Sequence, residues 1–251
     1  DRGKLTLPDD LITAQRGGIP IILSAPHGGT VRIKDSKDRE HGVTVRDTNT
    51  AQLALLISQR LTEKLSAKPY FVIAQFSRKD ADANRAPPSP TNLTPPEAFE
   101  NPAAQHHYEA YHRALRAFVD DARAKFPKGA LLIDLHGQAR LPDTIIRGTR
   151  NGQSVTRLIA RHGKEALTGP DSLFGLIETS GYKVAPPLAD ADARETLFDG
   201  GYITEHYGSS HENGIDAIQM EFGAMRTQSL EKTAKDTADA IAAFYTKYVK
   251  E

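Results

Sequence analysis

Short apolar runs alternate along the chain with longer stretches in which apolar residues recur every three or four positions. The short runs predict buried strands over residues 19–23, 70–76, 130–135, 144–147 and 215–222. The longer stretches predict amphipathic helices over residues 48–65, 108–126, 155–167, 172–179 and 230–248. Strands that alternate with helices predict the α/β class, a three-layer fold whose mixed, mostly parallel sheet carries helices on both faces. No repeat and no linker divides the sequence, so we predict one domain over residues 1–251.

Prolines interrupt this alternation between the second predicted strand and the second predicted helix. Residues 85–96 include Pro87-Pro88 and Pro95-Pro96, which do not fit regular structure. We therefore expect a long loop that lies over one edge of the sheet.

Three predicted strands lead into residues that can carry chemistry. His27 and His136 each follow an apolar run and precede a glycine, and Glu221 lies near the end of the last strand. Ligands of open α/β sheets bind beyond the carboxyl ends of the strands, so we expect the three side chains to converge. Neutral imidazole is a common zinc ligand, and catalytic zinc usually takes three protein ligands and a water. The sequence therefore predicts a site where His27 and His136 bind one Zn²⁺.

The third ligand should be a carboxylate, because the chain contains no cysteine. Asp47, at the start of the helix predicted over residues 48–65, can bind the cation or cap that helix, and neither interpretation is favoured. Glu40 and Asp134 are the other candidates. Asp134 can instead orient a ligand histidine from behind.

Glu221 also has two interpretations. It can be a carboxylate at a sheet edge that pairs with an arginine. It can also be a general base that takes a proton from the attacking water and passes it to the leaving amine. The expected convergence with two histidines favours the general base.

Arg78 and Arg85 bracket a polar stretch that ends in Asn84. A guanidinium group binds a carboxylate through two parallel hydrogen bonds, so both arginines are candidates for substrate binding, with Asn84 as a further amide donor. The alternative is that an arginine neutralises Asp80 or Asp82. Both interpretations can hold, one for each arginine.

The composition narrows the range of partners. Lys+Arg and Asp+Glu both number 32, so no basic surplus points to nucleic acid. No stretch approaches the roughly 18 apolar residues of a membrane span. A chain without cysteine that begins at Asp1 fits a secreted or periplasmic protein slightly better than a cytoplasmic one. We expect a small-molecule substrate with a carboxylate, and the oligomeric state stays open.

The motifs, taken in their order, resemble the N-formylglutamate amidohydrolase family, which is similar to the zinc carboxypeptidases and aspartoacylases. The resemblance covers most of the chain, and the order of the motifs carries it rather than any one of them. The matching segments are Pro26-His27-Gly28-Gly29, Arg46-Asp47-Thr48-Asn49-Thr50, Ser77-Arg78 through Asn84-Arg85, Asp134-Leu135-His136-Gly137, Leu141-Pro142-Asp143, Gly200-Gly201-Tyr202 and Gln219-Met220-Glu221.

The resemblance implies a phosphorylase/hydrolase-like fold, metal ligation by His27 and His136, and an acid/base role for Glu221. It also implies that Asn84 and Arg85 bind the substrate carboxylate. Zinc carboxypeptidases have a glutamate three residues after the first histidine, whereas Thr30 occupies that position here, so the third ligand stays open.

We expect a metal-dependent hydrolase that cleaves the amide of an N-acyl amino acid such as N-formylglutamate. One alternative is a zinc carboxypeptidase or amidase acting on small peptides, peptidoglycan or polyglutamate. Another is a non-catalytic protein that binds acidic ligands on the same fold.

Overall fold

The computed structural model describes residues 11–89, 97–190 and 192–250. Its strands form one seven-stranded sheet in the order β1-β3-β2-β4-β7-β5-β6. The strands are β1 (Ile12–Gln15), β2 (Ile21–Ala25), β3 (Tyr70–Ala74), β4 (Leu131–Gly137), β5 (Thr144–Gly148), β6 (Lys183–Ala185) and β7 (Asp216–Phe222). The helices are α1 (Thr50–Leu65), α2 (Pro102–Lys125), α3 (Thr156–His162), α4 (Glu165–Thr168), α5 (Leu173–Thr179), α6 (Tyr202–Tyr207), α7 (Met225–Gln228) and α8 (Leu230–Tyr248).

The central strands are buried on both faces, which explains their continuous apolar runs. Successive residues of a strand point to opposite faces. In β2, Ile21 and Leu23 therefore join the core beneath α1, α5 and α8, whereas Ile22 joins the core beneath α2 and α6. The predicted three-layer α/β fold with helices on both faces is confirmed.

Strands β3, β2, β4 and β7 are neighbours that all run parallel, whereas β1 and β5 are antiparallel to their partners β3 and β7. The sheet is thus mixed and mostly parallel. The carboxyl ends of β2, β4 and β7 meet at one edge, and the register places His136 directly beside Glu221.

The predicted strands and helices are all present, with shifted ends. The helix predicted over residues 155–167 is divided, since α3 ends at His162 and is followed by Gly163, whose φ of 76° is unfavourable for other residues. β1, β6, α6 and α7 were not predicted, because elements of three to six residues carry too little periodicity. Of the predicted proline-rich loop, residues 85–89 have no regular structure and residues 90–96 lie outside the described residues.

Two further expectations concern the chain as a whole. The single domain over residues 1–251 stays a prediction. Among the described residues, no helix has both the length and the apolar character needed to cross a membrane.

Candidate metal centre

Three buried side chains place one ligand atom each at the corners of a small triangle. His27 Nδ1 and His136 Nδ1 lie 3.1 Å apart, and each lies 3.3 Å from Asp47 Oδ2. A tetrahedral zinc ion with bonds of about 2.0–2.1 Å needs ligand atoms roughly 3.3–3.4 Å apart. The triangle therefore has the size and the donor types of a zinc site, and these three residues form a group that could hold a metal ion.

The backbone around the triangle explains how distant parts of the chain meet. His27 follows β2, and its carbonyl accepts a hydrogen bond from the Asp47 amide at 3.1 Å. Gly28 packs against the first turn of α1, where a Cβ would lie 2.5 Å from the Ala51 nitrogen. Only glycine allows this approach, which brings the segment before α1 to the end of β2.

A carboxylate behind each histidine fixes its ring. Asp82 Oδ1 lies 2.6 Å from His27 Nε2, and Asp134 Oδ2 lies 2.7 Å from His136 Nε2. A carboxylate that accepts the Nε2 proton leaves the Nδ1 lone pair free for a cation. Both imidazoles thus turn their Nδ1 atoms to the centre of the triangle.

The surroundings are richer in buried negative charge than in buried positive charge. Asp47, Asp82 and Asp134 are all buried, and among the described residues Arg78 and Arg39 are the arginines that pair with them. Asp134 Oδ1 is buried without a hydrogen-bond partner in the described part of the chain. Since buried charges need compensation, a cation at the triangle fits this donor set.

The buried carboxylates and imidazoles shift one another's pKa values. Burial lowers the pKa of His136, but the charges and hydrogen bonds of Asp134 and Asp47 outweigh it and raise that pKa well above its usual value. Burial raises the pKa of Asp47, but hydrogen bonds from His136 and His27 outweigh it and lower that pKa. The centre therefore stabilises positive charge.

Glu221 faces the same cleft from the end of β7. Its side chain is buried, and one carboxyl oxygen accepts a hydrogen bond from Gln219 Nε2 at 3.0 Å. Burial raises the pKa of Glu221 to about 7, although the neighbouring charge of His136 acts in the opposite direction. A carboxyl group with this pKa can exchange protons near neutral pH.

The three candidate substrate-binding residues have different surroundings. Arg78 is buried and donates to Asp82 Oδ2 at 2.9 Å and Asp47 Oδ1 at 3.4 Å. Asn84 Nδ2 lies 3.2 Å from His136 Nε2, and its Oδ1 accepts a bond from a backbone amide of α6. Arg85 is 35% exposed at the rim of the cleft and pairs with Glu97 at 2.8 Å.

The alternatives for the third ligand are placed elsewhere. Glu40 is exposed, and Asp134 contacts the Nε2 side of His136 rather than the triangle. Helix α1 begins after Asn49 without a side-chain cap, while Asp47 Oδ2 accepts a bond from Gly137 N at 3.0 Å. The carboxylate of Asp47 is thus directed at the two histidines rather than at the helix.

Sequence reasoning missed several residues of the cleft. Asp82 was considered only as the partner of an arginine. The ring nitrogen of a ligand histidine that faces away from the metal often donates to such a carboxylate. Gln219 lies two residues before Glu221 and so on the same face of β7, a spacing that could have indicated its contact. Arg226 donates to the backbone carbonyls of Thr48 and Gln138, which gave no signal in the sequence.

The cleft that contains these residues has a volume of about 290 Å³. Its lining includes the three triangle residues, Glu221 and all three candidate substrate-binding residues. A substrate in this cleft would therefore lie beside the cation centre, a proton acceptor and four arginines, Arg46, Arg78, Arg85 and Arg226.

The fold and this arrangement define a class: an α/β protein with a candidate cation centre at the carboxyl edge of its sheet. The sequence model of the N-formylglutamate amidohydrolase family matches residues 19–225. The chain belongs to this family, which confirms the resemblance seen in the ordered motifs.

Individual relatives agree with that membership. N-formylglutamate deformylase of Pseudomonas putida is 25% identical over 243 residues, covering 85% of this chain and 83% of the relative. N-formylglutamate deformylase of Pseudomonas aeruginosa is 23% identical over 243 residues, covering 85% and 84%. The crystal structure of N-formylglutamate amidohydrolase from Ralstonia eutropha JMP134 has a TM-score of 0.64 at 16% identity, covering 96% of this chain and 98% of that chain. The structural likeness shows a shared fold.

Proposed function

We propose that the protein is a metal-dependent hydrolase that cleaves the amide bond of an N-acyl amino acid such as N-formylglutamate. The triangle of His27, Asp47 and His136 is the observation that carries the proposal. Family membership and relatives named N-formylglutamate deformylase support the substrate class.

One Zn²⁺ is the cofactor that we propose, held by His27 Nδ1, His136 Nδ1 and Asp47. When bound, zinc polarises a carbonyl group and lowers the pKa of water to about 7. Asp82 and Asp134 keep the histidine rings oriented and accept their Nε2 protons.

Glu221 moves the proton in this proposal. Its carboxylate takes a proton from the water as the water oxygen bonds to the amide carbon. The same carboxyl group then delivers that proton to the amide nitrogen as the carbon–nitrogen bond breaks. Gln219 holds one carboxyl oxygen of Glu221 and leaves the other available for the transfer.

Arg85, Arg78 and Asn84 position the substrate carboxylate. Arg85 suits direct contact, because its ion pair with Glu97 is exposed and such pairs are weak enough to exchange. Arg78 adds positive charge from behind Asp47 and Asp82, to which it donates. Asn84 lies next to His136 and fixes the segment that leads to Arg85.

The test is to measure metal content and hydrolysis on the same preparation. We expect about one zinc per chain, loss of N-formylglutamate hydrolysis after chelation, and recovery on adding Zn²⁺. A panel with small peptides, peptidoglycan fragments and polyglutamate tests the carboxypeptidase or amidase alternative. A chain that takes up no zinc and hydrolyses none of these substrates would instead be the non-catalytic binder.

A further inference from the structure

Exposed apolar side chains lie beside the charged residues that line the candidate metal cleft. Among the described residues, the large hydrophobic side chains that are well exposed are Val31, Val43, Val45, Leu55 and Phe198. Three of them, Val43, Val45 and Phe198, line this one cleft. Single exposed hydrophobic residues are common on proteins, whereas a group at the entrance of a concave site marks a binding surface.

Phe198 is held in a conformation that bulky residues avoid. Its φ is 52°, in the left-handed region, and its side chain is 36% exposed. Its carbonyl packs against Gly148 at the end of β5, where a Cβ would lie 2.5 Å away. Unfavourable backbone conformations that persist cluster at ligand-binding positions, and here the conformation leaves an aromatic ring in the cleft.

Val43 and Val45 come from a different part of the chain, the segment that leads to Asp47. Their carbonyl oxygens accept hydrogen bonds from arginines: Arg39 donates to Val43, and Arg78 donates to Val45 at 3.2 Å. These bonds fix the backbone, while the side chains remain 47% and 72% exposed. The apolar surface is therefore held in place before any substrate arrives.

Positive charge lies in the same cleft. Arg85 pairs with the exposed Glu97, and Arg46 has no ion pair or side-chain hydrogen bond within the described residues. The apolar surface is thus additional to the carboxylate-binding groups and does not replace them. A ligand that fills this mouth carries both a carboxylate and an apolar group.

We propose that Val43, Val45 and Phe198 form an apolar subsite that selects substrates with an apolar group, supplied by the acyl chain or by the amino-acid side chain. The preferred substrate is then an N-acyl amino acid that is more apolar than N-formylglutamate. This inference rests on the proposed function and adds a specificity to it.

A matrix of substrates tests the subsite with zinc-loaded protein. We compare kcat/KM for N-formylglutamate, N-formylleucine, N-hexanoylglutamate and N-hexanoylleucine. At least one apolar substrate should exceed N-formylglutamate by roughly 10-fold or more, the size of effect that added methylene groups give in an apolar pocket. Preference for N-formylleucine assigns the subsite to the side chain, and preference for N-hexanoylglutamate assigns it to the acyl group.

Variants connect that preference to the proposed residues. Phe198→Gly removes the ring and suits the left-handed backbone, so folding should not suffer. Phe198→Gly and Val45→Ser should each lower the ratio of apolar to N-formylglutamate kcat/KM, mainly through KM. Leu55→Ser, an exposed apolar residue of α1 outside the cleft, is the control and should leave the ratio unchanged.

Three results overturn the subsite. If N-formylglutamate is the best substrate of the matrix, the inference fails while the proposed function stands. If no member is hydrolysed by the zinc-loaded protein, the proposed function fails and the inference fails with it. If Val45→Ser and Phe198→Gly change the molecular mass in solution but not the substrate ratio, the apolar surface is an interface between copies.

Discussion

Two regions of the molecule contain histidine rings and shift their pKa values in opposite directions. At the metal centre, carboxylates contact both ring nitrogens of His27 and of His136. In the ring cluster between α2 and α6, formed by His112, Tyr108, Tyr202 and Tyr207, the histidine contacts the Tyr207 hydroxyl and the Ala83 carbonyl. Burial lowers the pKa of His112 to about 3, whereas carboxylates raise that of His136.

The difference shows that burial alone does not make a histidine a cation-binding residue. A partly buried imidazole with neutral partners, such as His112, loses affinity for a proton, whereas carboxylate partners reverse that effect at His136. The two regions meet at residues 82–85. Asp82 contacts the metal centre, while the carbonyl groups of Ala83 and Arg85 accept bonds from His112 and Tyr108. The neutral ring cluster is therefore a support for the charged centre.

The largest effect should come from Glu221→Gln, which keeps the shape and removes the proton acceptor. General acid–base catalysis contributes about 10²–10⁴-fold, so we expect kcat to fall by that factor while zinc content is unchanged. Zinc analysis and turnover of N-formylglutamate measure both properties on one sample. Glu178→Gln, at an exposed position of α5, is the matched control. Wild-type turnover in Glu221→Gln would falsify the proton-transfer role.

Asp134→Asn tests whether the carboxylates behind the histidines create the cation affinity. The amide keeps the size of the side chain but removes the charge that lies 2.7 Å from His136 Nε2. Loss of such a partner typically weakens metal binding about 10–100-fold. Competition with a chelator measures the affinity, and Asp239→Asn, which removes a surface ion pair with Lys64, is the control. Equal zinc affinity of Asp134→Asn and wild type would show that the outer carboxylate is dispensable.

The sequence was informative where strand order and strand ends decide the geometry. His27, His136 and Glu221 could be placed together because parallel strands bring their carboxyl ends to one edge. The position of Asp47 could not be derived, since its approach depends on Gly28 packing against α1.

The surroundings of His112 could not be predicted from the sequence either. The spacing of apolar residues along α2 does not reveal that Tyr202 and Tyr207 of α6 pack against its ring. Helix α6 is six residues long and gave no periodic signal. The sequence therefore did not predict that Tyr202 and Tyr207 join the ring cluster. Short elements and loop packing are thus the parts of this fold that sequence patterns left undetermined.

His112→Gln tests the neutral region through the pH dependence of stability. An unfolded histidine takes up a proton below pH 6.5, whereas His112 in the folded protein resists it down to about pH 3. The contribution of His112 to the free energy of unfolding is therefore largest above pH 6.5 and decreases as the pH falls towards 3. Between pH 6.5 and 5, wild type should therefore lose up to about 2 kcal/mol more stability than the variant.

Urea unfolding of chelator-treated protein at both pH values measures this difference without a contribution from bound cation. His211→Gln, in an exposed loop, should follow wild type. If His112→Gln loses as much stability as wild type on acidification, the imidazole is not held neutral and the contrast with His136 disappears.

The smallest effect is expected from Asn101→Ala, which acts on α2 and leaves the charges of the metal centre in place. Asn101 Oδ1 accepts a hydrogen bond from the Ala103 amide at 3.0 Å and caps the helix that carries Tyr108 and His112. Removing such a cap costs about 1 kcal/mol of unfolding free energy. Ser172→Ala, which removes the cap of α5 on the other face of the sheet, should cost a similar amount. Because Asn101 carries no charge, zinc affinity should stay within about twofold of wild type in both variants. If Asn101→Ala weakens zinc binding as much as Asp134→Asn does, the ring cluster tunes the metal centre rather than only supporting it.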